Sequence, residues 1–416
     1  MSNINLDQIQ EYIFDVEKIS NKIFIVPLKN FIYDVCKYSQ VEKNVQIMLN
    51  GCVNRLSESH LESIGEAIAE LQKVYLLKIS FGSIEVFDMF LEGQYKQGQV
   101  KLKELQINTK ISDRSFFLFC KHLKTFFQRN KTTLRSFCLD IPNLCNVTCQ
   151  SVVDLASCLS QLSTCPNLEE LQLGLSHWNV QQQFDQSFIS ICKSLSTIIN
   201  STRIKKLTLN FAGWNISDLS IQALSHALSA FKDIQTLKEL SLNFTLVFRC
   251  QQQAVDSLTE AFNNIFPYNK LNKFYLCLNS WEFQKLEGLS RAFLNLRDLN
   301  KLSLHLNSKT YSINQSEDSK IFMKNILQLV SQNLYFKLNL NFPKCDQINQ
   351  QVLKEIEKII KYRNSQIEIS LNQFHALKSN TYDCYRKEIM WDTIKLLNKN
   401  SDLYQQDLNN IHFHFN

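Results

Sequence analysis

Apolar positions along this chain return again and again in one six-residue spacing, L-x-x-L-x-L. The spacing is seen in LLKISF at 76–81, LKELQI at 102–107, LRSFCL at 134–139, LEELQL at 168–173, IKKLTL at 204–209, LKELSL at 237–242, LNKFYL at 271–276 and LNKLSL at 299–304. Weaker copies are EKNVQI at 42–47, YFKLNL at 335–340, QIEISL at 366–371 and LNNIHF at 408–413. They recur about every 33 residues, the length of one supersecondary unit in a repeat array.

Each copy opens with strict alternation, which marks a strand with one buried face, and continues with helical spacing. In the copy from 204, Leu207, Leu209 and Phe211 share one face of the strand and Lys206, Thr208 and Asn210 the other. Ser217 or Asp218 then opens a helix whose apolar side is Ile221, Leu224, Ala227, Leu228 and Phe231. One strand and one helix cannot bury these faces alone, so successive units must stack, with parallel strands in one layer and helices in another. Helices pack about 10 Å apart and strands about 4.8 Å, so the stack must bend with the strands inside. Trp178, Trp214 and Trp281 each fall three residues beyond the last inward strand residue, Leu175, Phe211 and Leu278. That shared position predicts a wedge closing the end of the strand layer rather than a ligand site.

The strand motif followed by a helix resembles leucine-rich repeats of the ribonuclease-inhibitor-like class. Residues 204–245 are similar to the long, divergent repeats abundant in ciliate proteins. The resemblance implies an α/β solenoid, a horseshoe with parallel strands on the concave face and helices on the convex face. It also implies a surface that binds other proteins rather than a catalyst. The expected organisation is an N-terminal helical cap over residues 1–40, from the amphipathic segments INLDQIQEYIFDVEKIS and LKNFIYDVCKYS, then about eleven to twelve irregular repeats over 41–416. Polar stretches at 308–319 and 378–383 are expected as surface loops.

With the leucines turned inward, the residues between them form columns on the concave face. The candidate partner-binding set is Lys206, Thr208, Asn210, Ser241, Asn243, Lys273, Tyr275, Lys301, Ser303, His305, Lys337 and Asn339. Lys273, Lys301 and Lys337 are expected on consecutive rungs, about 5 Å apart, where like charges repel unless an anion compensates. That row, with Tyr275 as an aromatic anchor, predicts a site for an acidic segment of another protein. His412 and His414 share a strand face near the end of the sequence, where an open strand edge leaves end-to-end homodimerisation as an option.

Composition narrows the function without naming it. Apolar residues make up 44% and charged residues 20%, enough for a folded core. Only 8 Gly and 5 Pro are present, so the fold cannot rest on many glycine-dependent turns. The net charge of +6 is spread over the chain, which disfavours nucleic acid as a partner. No stretch reads as a signal or membrane-spanning segment, so the expectation is a cytoplasmic protein without a membrane partner. The 13 cysteines lack paired spacing, and the cluster Cys138, Cys145, Cys149, Cys158 and Cys165 is expected as core and loop thiols rather than a zinc site. Nucleotide-loop, metalloprotease, hydrolase and kinase signatures are all absent. The expectation is therefore a protein that is not an enzyme and uses no cofactor: an interaction scaffold or, as the alternative, a regulatory or inhibitory subunit of an enzyme or small GTPase.

Overall fold

The computed structural model describes residues 10–15, 25–37, 43–49, 58–81, 112–142, 144, 147–178, 184–247, 249–296, 299–307, 317–332, 335–341 and 366–371. Its eleven strands form one parallel sheet in which spatial order follows chain order from β1 to β11. They are β1 Gln10–Asp15, β2 Lys43–Met48, β3 Val74–Ser80, β4 Ser136–Asp140, β5 Glu170–Gly174, β6 Lys206–Asn210, β7 Glu239–Asn243, β8 Lys273–Cys277, β9 Lys301–Asn307, β10 Tyr335–Asn341 and β11 Gln366–Leu371. The helices between them are α1 Ile25–Lys37, α2 Glu58–Ala69, α3 Asp113–Arg129, α4 Cys149–Leu159, α5 Phe184–Ser201, α6 Asp218–Ser229, the short α7 Phe231–Ile234, α8 Gln252–Ile265, α9 Glu287–Phe293 and α10 Glu317–Gln332.

Crossovers between parallel strands are right-handed, so sequential strand order puts every helix on the same side of the sheet. Successive helices accordingly touch one another, as α4 and α5, α5 and α6, and α6 and α8 do. The alternation of the sequence explains the filling between the layers. Leu207, Leu209 and Phe211 from the strand and Ile221, Leu224, Leu228 and Phe231 from the helices are fully buried in one apolar cluster that runs from Phe14 to Leu329. By the same argument no helix among the described residues lies on the opposite face of the sheet, and that face holds the candidate site.

Successive units are also tied by their helix N-termini. Asp113, first residue of α3, accepts hydrogen bonds at Oδ1 from the hydroxyls of Thr148 and Ser151 at the start of α4, both at 2.6 Å. Asp185 in α5 accepts from the Ser217 amide at 2.8 Å and the Ser220 hydroxyl at 2.6 Å at the start of α6. Asp218 in α6 accepts from the Gln251 amide at 2.8 Å, just before α8. Free amides at a helix start need acceptors, and here the neighbouring unit supplies them. At the other helix end, buried Asn130 and Asn269 accept the amides of Val74 and Leu237 and donate to helix-end carbonyls, so they fix where two strands begin.

Three expectations change. The segment taken as a helical cap contributes a strand: β1 pairs in parallel with β2 from Gln10↔Lys43 to Asp15↔Met48, so the sheet crosses the expected boundary at residue 40. The reason is the alternation in QEYIFD, whose Phe14 is buried on the helix side. LKELQI at 102–107, expected as a copy of the strand motif, lies outside the described residues, and β3 pairs directly with β4. Register also departs from the motif alignment at three junctions. Asn44 lies opposite Leu76 rather than Lys78. Lys78 lies opposite Cys138 rather than Ser136, and Lys337 lies opposite Ser303 rather than Lys301. LNNIHF at 408–413, with His412, His414 and the proposed C-terminal edge, and the expected loop at 378–383 lie outside the described residues, as does 308–316 of the other loop.

Candidate binding face

On the helix-free face, β5 to β9 hold their side chains in three columns. The first runs Glu170, Lys206, Glu239, Lys273, Lys301; the second Gln172, Thr208, Ser241, Tyr275, Ser303; the third Gly174, Asn210, Asn243, Cys277, His305. Ten of the twelve residues singled out in the sequence are thus brought together in the expected register. Lys337 and Asn339 are the exceptions, since β10 is shifted by two residues and puts them opposite Ser303 and His305. Alternation explains the slip. β9 continues inward through Leu302, Leu304 and Leu306, and β10 matches it with Phe336, Leu338 and Leu340. A shift of two leaves every residue on its own face, so the apolar pattern does not oppose it.

The lysine row is therefore not a run of three free cations. Lys337 is out of line, and the Lys273 ammonium is 2.8 Å from the Glu239 carboxylate. Both groups are partly in water, so the pair is worth at most about 1 kcal/mol, but it removes Lys273 as an uncompensated charge. Glu170, the other acidic residue beside Lys206, accepts from the Ser136 hydroxyl at 3.2 Å. Lys206 is half-buried and has no ion pair among the described residues.

Tyr275 is not an exposed anchor. It retains only 7% of its surface, its ring lies 5.4 Å from that of His305, and burial, aided by Cys277, pushes its hydroxyl pKa well above the usual value. A large aromatic in the middle of this face closes over its own neighbours rather than projecting from them. Ser303 and His305 are buried beside it, with Oγ and Nε2 3.1 Å apart. Cys277 meets the Thr245 hydroxyl at 2.9 Å, and burial raises its pKa, the opposite of what a reactive thiolate requires.

One block of the face is different. Thr208 and Asn210 on β6 face Ser241 and Asn243 on β7, a square of short uncharged polar side chains. Asn210 and Asn243 use their Oδ1 atoms locally, accepting the amides of Ala212 at 3.2 Å and Thr245 at 3.1 Å to shape the turns after their strands. The Thr208 hydroxyl and the Asn243 amide nitrogen are buried and have no hydrogen-bond partner. Each such group costs about 1–3 kcal/mol of desolvation without return. Gly174, beside Asn210 on β5, is buried and contributes no side chain to the column. Gly174 escaped the sequence reading, although a glycine in a column otherwise holding Asn, Cys and His was the available signal.

The three tryptophans close the ends of the strands as expected. Trp178, Trp214 and Trp281 are buried, and their indole N–H groups donate to the carbonyls of Ile141, Leu175 and Phe244 in the preceding unit. Among the described residues no cluster of three or more His, Cys, Asp or Glu side chains is placed to hold a metal ion, and the nine described cysteines are free thiols. No helix among them is long and apolar enough to cross a membrane. No protein-family model matches the chain, and no curated protein matches it.

Proposed function

We propose that this chain is a non-catalytic interaction scaffold of the leucine-rich-repeat kind, close in design to the ribonuclease-inhibitor-like class, that binds a partner protein across the helix-free face of its sheet. The observation that carries this reading is the register of β5 to β9. Five consecutive rungs align polar, charged and aromatic side chains into columns on the face that, among the described residues, no helix covers. The large apolar cluster is built from the inward leucines and phenylalanines of the other side, so it does not itself require this order of polar side chains. The accompanying proposal of a cytoplasmic location rests on the described thiols, which are unpaired and mostly buried, a pattern suited to a reducing compartment.

The reading is tested by loading charge onto the half-exposed part of the face without touching its buried floor. A Gln172→Arg, Lys206→Glu, Ser241→Arg variant is compared with a helix-side control carrying Phe117→Arg, Val153→Arg and Leu219→Arg, all exposed positions. Both are used as bait in the native cell extract after circular dichroism confirms their folds. Loss of partners at least tenfold in the first and retention in the second is the expected outcome. Retention in the first with loss in the second moves the binding surface to the helices and refutes the proposal.

A further inference from the structure

We infer that the square formed by Thr208, Asn210, Ser241 and Asn243, with Lys206 at its edge, is a subsite for a side-chain carboxylate of the partner. The inference rests on the binding reading above and specifies its chemistry. Two buried polar groups on adjacent strands, both on the helix-free face, lack partners in the free chain, and the Asn243 amide nitrogen is purely a donor. Its own carbonyl oxygen is already occupied by the amide and hydroxyl of Thr245, so the amide cannot turn over to present an acceptor. The Thr208 hydroxyl donates equally well. What satisfies both is an acceptor.

Charge decides which acceptor. Lys206 lies two residues before Thr208 on the same strand, and the carboxylates on either side of it are engaged, Glu170 by Ser136 and Glu239 by Lys273. Lys206 itself has no ion pair among the described residues. A carboxylate supplies acceptor oxygens for the hydroxyl and the amide and a counter-charge for the Lys206 ammonium, whereas a neutral amide supplies only the first. Access sets the size of the group. The floor, Thr208, Asn210 and Asn243, is buried, while Gln172, Lys206 and Ser241 around it are half-exposed. A carboxylate reaches the two unpartnered groups only as these half-exposed side chains move aside, which suits the tip of one Asp or Glu side chain rather than a whole strand laid along the face.

This moves the acidic-segment site from the row Lys273, Lys301, Lys337 to β6 and β7. The test uses the full chain and two synthetic octapeptides, a Ser-Glu repeat and its Ser-Gln counterpart. Nuclear magnetic resonance follows the Asn243 side-chain amide, and thermal melting follows stability. The expected result is a shift of the Asn243 amide and a rise in Tm with the Ser-Glu peptide, and neither with Ser-Gln. Thr208→Val, which removes the unpartnered hydroxyl at constant shape, should raise the Tm of the free chain while weakening Ser-Glu binding at least fivefold. Asn243→Asp, which keeps the acceptor for Thr245 but replaces the donor by a carboxylate, should abolish that binding with the fold intact. Equal binding of both peptides, or binding retained in Asn243→Asp, overturns the carboxylate assignment while leaving the scaffold reading in place. A fall in Tm for Thr208→Val overturns it as well, because the hydroxyl then already has a partner such as bound water.

Discussion

At the scale of single residues, the turns that leave the strands repeat a backbone conformation without repeating a residue. His177, Gly213, Leu246 and Ser280 all have positive φ, at 57°, 75°, 61° and 76°, and each lies two residues beyond the last inward strand residue. The position is needed because the ladder continues through the turn: the amides of His177, Gly213 and Leu246 donate to Ala212, Thr245 and Asn279 of the next unit. Only Gly213 fills it without steric cost, and a Cβ there would lie 2.3 Å from Nδ1 of His177. Gly213→Ala should therefore destabilise the protein by about 2 kcal/mol, seen as a lower urea midpoint at unchanged slope. Ser280→Gly should act in the opposite sense, adding about 0.5 kcal/mol of stability and so raising the midpoint, once the greater freedom of glycine in the unfolded chain is set against the relieved strain. An unchanged midpoint in both would show that the turn conformation carries no strain. The tryptophan next to this position was legible in the sequence because the same residue recurs at one offset from the strand. The left-handed residue was not, because His, Gly, Leu and Ser share no chemical signature.

At the scale of elements, strand faces were legible and strand register only partly so. Alternation has a period of two, so LRSFCL and IKKLTL state unambiguously which side chains are buried. The same pattern accepts a slip of two residues, and that slip occurs between β2 and β3, between β3 and β4 and between β9 and β10. The candidate site survived because it lies mostly on β6 to β9, between those junctions, while Lys337 and Asn339 lie beyond one of them. Unpartnered donors could not be foreseen at all, since whether Thr208 or Asn243 finds a partner depends on three-dimensional neighbours rather than on spacing. Helix starts show a similar split: Ser217 or Asp218 was expected to cap the helix, and Ser217 does stand at the cap position, but its side chain makes no capping bond and Asp185 of the preceding unit accepts its amide. Burial tends to raise the Asp185 pKa, but hydrogen bonds from Ser220 and Ser217 and the charge of Arg249 outweigh it and hold the group below its ordinary value. A depressed folded-state pKa contributes stability that is complete above the unfolded pKa, near 4, and is lost as pH falls through the folded value. Asp185→Ala should thus cost about 1 kcal/mol at pH 7, with the difference from wild type shrinking below pH 4. A difference that stays constant from pH 7 to pH 2 would mean that the ionised carboxylate contributes nothing to the cap.

At the scale of the whole molecule, the repeat period revealed the solenoid class because each unit must bury its apolar face against its neighbours, and the same necessity shapes how the molecule should come apart. Strand pairs join β1 to β2, β2 to β3 and so on without exception among the described residues, and the principal helix contacts link neighbouring units. The apolar cluster is continuous from Phe14 to Leu329, but among the described residues no element closes the array on itself by returning to an earlier strand. Stability in such an array is a sum of unit and nearest-neighbour terms, so a lesion should weaken its surroundings more than the remote units. Leu240, fully buried on β7 between Leu207 and Phe274 of the adjacent strands, is a suitable place to make one. Leu240→Ala should cost about 2–5 kcal/mol locally. Hydrogen exchange read by mass spectrometry should then show protection falling strongly in β6, β7 and β8 and in α6 and α8, and little in β3, β4 and α3. A uniform loss across all these elements would instead make the molecule a single cooperative body, in which an acidic segment captured at β6 and β7 would stabilise the distant units as much as its own. Under the nearest-neighbour picture the Ser-Glu peptide protects the same β6 to β8 region that Leu240→Ala exposes, so the two experiments must map onto one another if binding and local stability share the same few rungs.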